Sequence, residues 1–152
     1  MLSTLHTNDA PSSITRLTEM GIEPFLVGSA LDCVLAQRLT RRLCEKCKQA
    51  YDPDADLLER IGYPWTPGDD IPMLYRAIGC SACSKTGYKG RIALHEVMEV
   101  TEDIERLCVD RASAAAIGET ARAQGMLTLR ADGMSKVGQG ITSIEEILRV
   151  VV

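Results

Sequence analysis

Cys44-Glu45-Lys46-Cys47 and Cys80-Ser81-Ala82-Cys83 are the two stretches on which the reading of this chain turns. A Cys-x-x-Cys spacing presents two thiols on one tight turn, and two such turns facing each other supply the tetrahedral sulfur set that zinc(II) prefers. Residues 48–79 separate the pairs, longer than the common zinc-ribbon interval, so the chain between them must leave and return. Two disulfides, or two unrelated surface pairs, are the competing readings. A thiol-disulfide oxidoreductase is weaker still, because such enzymes use one pair at the start of a helix that follows a strand. With Cys44, Cys47, Cys80 and Cys83 all as ligands, no coordination position remains for water or substrate, so the expected zinc ion is structural. Binding of that kind is worth on the order of 10–16 kcal/mol at neutral pH, more than a loop-rich segment gains from apolar burial. Cys33 and Cys108 stand alone in apolar stretches and are expected to be buried free thiols.

Around the pairs, the region from Arg41 to Arg91 holds Pro53, Pro64, Pro67 and Pro72 and reads as loop-rich. A short helix is expected over 54–61, with Leu57, Leu58 and Ile61 on one side and Gly62 at its end, while 73–78 and 91–100 read as extended. Before this region the chain reads as α/β. Asp9 is placed to cap a helix with Pro11 in its first turn, with Ile14 and Leu17 inward and Gly21 as the stop. A second helix is expected from Pro24 through Phe25, Leu26, Ala30 and Leu31. Residues 33–39 then read as a mostly buried strand, although periodicity alone leaves a continuing helix open. From Thr101 onward four short helices are expected, with Thr101, Ser113, Thr128 and Thr142 or Ser143 as N-caps and Gly125 and Gly140 as stops. Thr142-Ser-Ile-Glu145 fits a capping box.

Composition narrows the function classes. Of 152 residues 45% are apolar and 25% charged, as in soluble globular proteins, but aromatics make up only 4%, so the core must be aliphatic. A net charge of −4 works against generic attraction to nucleic acid, which is not an expected partner. No apolar run approaches the roughly 20 residues of a membrane span, and the opening Met-Leu-Ser-Thr-Leu-His-Thr-Asn has no leader character, so a cytoplasmic chain is expected. Reduced, metal-bound cysteines agree with that compartment.

Catalytic signatures are missing from the sequence. It contains no Gly-x-x-x-x-Gly-Lys-Ser/Thr loop and no Gly-x-Gly-x-x-Gly, and His6 and His95 are far apart with no paired nucleophile nearby. His95 lies in the alternating run Ile92-Ala-Leu-His-Glu-Val and reads as structural. Arg38, Arg41, Arg42, Lys46 and Lys48 form a basic run whose default reading is a solvated surface.

Ser3-Thr-Leu-His-Thr-Asn-Asp9, followed by Ile14-Thr-Arg16-Leu and Met20-Gly, resembles the histidine box of the type II secretion and type IV pilus assembly ATPases. Leu35-Ala-Gln-Arg-Leu39, Arg42-Leu-Cys-Glu-Lys-Cys47, Gly79-Cys-Ser-Ala-Cys83, Thr86-Gly-Tyr-Lys-Gly-Arg91, His95-Glu-Val97, Gly125-Met126 and Gly140-Ile-Thr142 follow in the same order, so the likeness covers almost the whole chain. The cysteine block points to the secretion and pilus-extension branch.

The resemblance implies an α/β remnant of a P-loop (RecA-like) ATPase core over 1–42, a loop-rich tetracysteine zinc subdomain over 43–100 and a helical subdomain over 101–152. It implies a hexamer of such chains that uses ATP and Mg2+ to drive pilin or pseudopilin assembly, held peripherally at the inner membrane by platform proteins. His6 matches the family histidine that senses the terminal phosphate, and Arg38 lies in the nucleotide neighbourhood. In that family the phosphate-binding loop and the Mg2+-associated acidic motif precede the histidine box, so the chain is expected to be a C-terminal portion that is inactive alone. A free-standing zinc-ribbon-like protein-binding module is the alternative.

Overall fold

A computed structural model describes residues 1–151, with two helices at the start, four strands and one helix in the middle and four helices at the end. In chain order they are α1 (Pro11–Glu19), α2 (Pro24–Ala30), β1 (Cys33–Leu43), β2 (Gln49–Tyr51), α3 (Ala55–Ile61), β3 (Leu74–Arg76), β4 (Tyr88–Glu99), α4 (Glu102–Val109), α5 (Ala114–Ala123), α6 (Leu129–Gly138) and α7 (Ile144–Val150). β1 pairs with β4, and β2 with β3, in two separate two-stranded sheets. The strand reading of 33–39 therefore holds, but the strand is not mostly buried, since only Ala36 of those residues is buried and Leu35 and Leu39 are exposed; it runs on to Leu43, one residue before the first cysteine pair. Among the described residues no helix is long and apolar enough to cross a membrane.

Two compact units share these elements, and neither is a continuous stretch of chain. The first takes Met1–Gln37 and His95–Leu129. Its core is aliphatic, as the shortage of aromatics requires, with Ala10, Ile14, Val27, Met98, Ile104, Ile117 and Ala121 buried. Gly28 lets α2 approach α4 closely, since a Cβ there would lie 3.4 Å from the Glu105 backbone. The Cys108 thiol is buried as expected and donates to the Pro24 carbonyl at 3.2 Å.

Glu96 is this unit's buried acid. On β4 the inward positions alternate, Leu94, Glu96 and Met98, with His95, Val97 and Glu99 facing out. The two Glu96 carboxylate oxygens accept from the backbone amides of Ala10 at 2.8 Å and Leu129 at 3.2 Å. Those amides stand at the N-terminal ends of α1 and α6, where unpaired donors and the helix dipole favour a negative charge.

Arg38–Leu94 together with the chain from Arg130 onward forms the second unit. Leu43, Leu58, Ile61, Leu74, Leu94, Met134, Val137, Ile144 and Ile147 are its buried side chains. α3 ends as expected at Gly62, which takes φ +62 and is readily left-handed. Arg130 donates to the Ile61 carbonyl at 2.7 Å and so closes the C-terminal end of α3.

Three further expectations need correction. The second helix stops at Ala30, and Leu31 is already extended. Cys33 is exposed, because it begins β1 on the same side as the exposed Leu35, Gln37 and Leu39. At α7 the expected capping box does not form: Ser143, the second of the two candidate caps, is the N-cap and accepts from the Glu146 amide at 3.4 Å. Thr142 is instead buried, its hydroxyl donating to the Arg41 carbonyl at 2.9 Å.

Glu146, 1% exposed, does not turn back to the cap. It accepts from the Arg41 backbone amide at 3.0 Å, the Arg41 guanidinium at 3.0 and 2.7 Å, and the Arg149 guanidinium at 3.0 and 2.6 Å. Burial works against the charged carboxylate, but hydrogen bonds from Arg149 and Arg41 outweigh it and hold the group down at about 2. A folded pKa below the ordinary 4.5 means that this stabilisation is complete above the ordinary value and is lost as the pH falls toward 2. Acid titration of unfolding free energy is expected to show a limb in that window, shallower in Glu146→Gln. At pH 7 the same variant should lose about 1–3 kcal/mol, because Arg41 and Arg149 are half exposed and rehydrate in part.

Candidate metal centre

Both cysteine pairs belong to the second unit, and hydrogen bonding shapes each turn before any ion is considered. β1 delivers Cys44, whose carbonyl accepts from the amides of Cys47 at 3.1 Å and Lys48 at 2.9 Å, folding 44–48 into the first turn. In the second, Cys83 and Lys85 both donate from the backbone to the Cys80 carbonyl, at 3.3 and 2.8 Å. The Thr86 hydroxyl closes on the Cys83 carbonyl at 2.7 Å. The Cys44 amide donates to the Gly87 carbonyl at 2.9 Å and sets one turn beside the other.

Two glycines make the second turn possible. Gly79 has φ +109, and a Cβ there would lie 2.5 Å from the Lys85 carbonyl oxygen. Gly87 has φ +78, and its Cβ would lie 2.6 Å from the Cβ of Ala77. Both positions demand a left-handed backbone and leave no room for a side chain. Sequence reasoning noted these residues only as parts of a resemblance. The local signal was a glycine immediately before a Cys-x-x-Cys and another four residues after it.

The insert leaves and returns as its length required. β2 and β3 pair antiparallel, Gln49 with Arg76, Ala50 with Tyr75 and Tyr51 with Leu74. The exit from Cys47 therefore runs alongside the approach to Cys80.

All four sulfurs lie within 4.8 Å of one another. Cys44 Sγ is 4.0 Å from Cys80 Sγ, Cys47 Sγ is 3.8 Å from Cys83 Sγ, and Cys80 Sγ is 3.8 Å from Cys83 Sγ. Sulfurs placed about 2.3 Å from a central zinc ion in a tetrahedron would be about 3.8 Å apart, so the separations suit one metal ion. All four cysteines are free thiols. The amides of Cys80 and Gly87 each donate to Cys83 Sγ at 3.2 Å.

These contacts separate the thiols electrostatically. The Cys80 amide pulls the Cys83 thiol down to about 6, with the Gly87 amide adding to it against burial. Burial pushes the Cys47 thiol up to about 12, against the Gly79 backbone. One thiolate is thus prepared while its neighbour resists a second negative charge. A cation at its centre would favour ionising the whole set, which is how a soft divalent metal couples to proton release.

His6 and Arg38 fall in different units. His6 is exposed in the stretch before α1, in the first unit. Arg38 is half-buried on β1 and belongs to the second. His95 faces outward on β4. Part of the basic run is more specific than a solvated surface. Arg41 binds Glu146 and stacks over Tyr88 at 4.1 Å, and Lys48 is largely buried, while Arg42 and Lys46 are exposed.

Comparison with known proteins supplies the wider context. Residues 1–149 match the family described as type II/IV secretion system protein. Over 148 residues the chain is 49% identical to a type IV pilus assembly ATPase PilB of Thermus thermophilus, covering 97% of this chain and 16% of that protein. A Myxococcus xanthus PilB is 44% identical over 149 residues, 97% of this chain and 26% of the relative. A type II secretion system ATPase E of Vibrio cholerae is 44% identical over 150 residues, 99% and 29% respectively. The chain thus spans under a third of the length of these relatives.

Gly87→Ala is expected to weaken metal retention by at least about tenfold, since both its backbone angle and its contact with Ala77 must give. Gly90 also has a positive φ, +83, but nothing lies within 4 Å of its Cβ position, so Gly90→Ala should leave retention near wild type. Competition against a colorimetric chelator under reducing conditions distinguishes the two.

Proposed function

Because the chain belongs to the type II/IV secretion system protein family, we propose that it serves as the C-terminal, zinc-containing region of a secretion or pilus assembly ATPase. The observation that carries the reading is the convergence of Cys44, Cys47, Cys80 and Cys83 within 4.8 Å, in a chain whose relatives are named as such ATPases. A free-standing zinc-ribbon module does not account for a family match extending over 1–149.

On this reading Cys44, Cys47, Cys80 and Cys83 hold one Zn2+, which supplies a fixed tetrahedral crosslink and no Lewis-acid chemistry. Its role is to keep 43–100 folded as the zinc subdomain, between a portion of a P-loop, RecA-like core in 1–42 and a helical subdomain in 101–152. That division is one of roles, and it differs from the interleaved packing of the two units.

The complete ATPase works as a hexamer in the cytoplasm, binding ATP with Mg2+ and transmitting closure between subunits to an inner-membrane platform that assembles pilins or pseudopilins. His6 contributes there as the terminal-phosphate sensor. An exposed imidazole ahead of α1 suits a group that must meet a ligand supplied from elsewhere, since it can donate a hydrogen bond to a phosphate oxygen. Arg38 lies in the nucleotide neighbourhood without a catalytic part. With no Gly-x-x-x-x-Gly-Lys-Ser/Thr loop in its 152 residues, this chain does not turn over ATP by itself.

Elemental analysis of reduced, purified chain is expected to give one zinc per chain, falling to none in a Cys44→Ser/Cys80→Ser double variant. Phosphate release from ATP and Mg2+ should stay at buffer background. Absence of bound metal with all four thiols alkylated under native conditions would end the zinc reading, and stoichiometric turnover by the pure chain would end the claim of dependence on further sequence.

A further inference from the structure

Lys48 follows Cys47 directly, and its side chain is only 20% exposed. Its ammonium group donates to the Gly140 carbonyl at 3.0 Å, lies 4.8 Å from the centre of the Tyr75 ring, and pairs with Glu45 at 2.7 Å. Gly140 is buried in the turn between α6 and α7, with φ +67. The Tyr75 ring occupies the space a Cβ at Gly140 would need, 2.7 Å from that position. One turn of backbone is therefore held from two sides. Lys48 comes from the chain leaving the first cysteine pair, and Tyr75, on β3, from the chain approaching the second.

The turn leads straight into the start of α7. Ile141 accepts from the Leu43 amide at 2.8 Å, and the N-cap Ser143 meets the Tyr88 hydroxyl at 2.8 Å. The latter two anchors come from the ends of the long strands β1 and β4, which the ladder holds in any case. Lys48 differs, because its backbone belongs to the first cysteine turn and is held there by the Cys44 carbonyl. An ion that fixes Cys47 fixes the origin of the Lys48 side chain one residue away.

We infer that Lys48 is the positioning residue through which occupancy of the sulfur site sets the turn between α6 and α7 and the start of α7, an inference that rests on the metal reading above. A long cationic side chain suits this part. Held at its base it aims a charged donor at one carbonyl; released, it is drawn toward water and leaves that carbonyl without its charge-assisted hydrogen bond.

Amide hydrogen exchange on the full zinc-loaded chain tests it, read at Gly140, Ile141, Glu146 and Ile147 before and after removal of metal by a chelator under reducing conditions. Lys48→Met should keep one zinc per chain yet exchange about tenfold faster at these amides, as loss of one charge-assisted hydrogen bond predicts, and Lys48→Arg should restore protection. Stripping the metal should accelerate the same amides in wild type, and accelerate them less in Lys48→Met, where one of the two holds on the turn is already gone.

The inference is overturned by unchanged exchange in zinc-loaded Lys48→Met, by failure of Lys48→Arg to restore it, by loss of zinc from Lys48→Met, or by stripping that acts equally on wild type and variant. Deprotection that spreads equally to α4 and α5 on stripping overturns it too. Zinc content of the untreated wild type, measured on the same samples, separates these outcomes from failure of the metal reading itself.

Discussion

Four sulfur atoms crowded within 4.8 Å of one another are the constraint on which the middle of this chain depends. The stretch between β1 and β4 buries few large apolar side chains, chiefly Leu58, Ile61 and Leu74. Burial on that scale offsets little of the entropy lost in ordering so long a loop. Backbone hydrogen bonds shape each cysteine turn, and Gly79 and Gly87 remove the steric obstacles, but none of these groups binds the four thiols to one another. A divalent ion held there would do so by turning mutual repulsion among thiolates into a common attraction.

Two buried carboxylates show how differently the two units solve one electrostatic problem. Glu146 meets two arginines as well as a backbone amide, so its charge is matched by cations that remain partly in water. Glu96 is met by neutral amides at two helix starts, where aligned peptide dipoles do the work of a cation. Among the described residues no buried polar side-chain atom lacks a partner, which is the condition for burying such groups at all. Through Ala10, Glu96 also fixes the point where the segment carrying His6 enters α1.

What could be read from sequence followed the range of the interaction. Cysteine spacing, the Pro11 and Pro24 helix starts and the Gly62 stop are local chemistry, and each is found where it was expected. Tertiary competition decided the misses. Thr142 and Glu145 had the spacing of a capping box, but Thr142 is drawn to the Arg41 carbonyl, a partner 101 residues away, which leaves Ser143, the other candidate, as the cap with no box. Cys33 sits among apolar neighbours, yet strand phase places it outward. Lys48 looked like one more solvated cation because nothing in the local pattern brings Gly140 to it. The sulfur set was legible; the residues that grip and brace it were not.

Interleaving of the two units also imposes a timetable on synthesis. The first unit lacks α4 and α5 until residues near 129 have left the ribosome, and the second lacks α7 until residues near 150 emerge. Both cysteine pairs, by contrast, lie inside the single stretch Arg38–Leu94, and are available to a metal ion while the later helices are still being made. A metal crosslink formed there would precede α6 and α7 and would shorten the loops that their distant contacts must close.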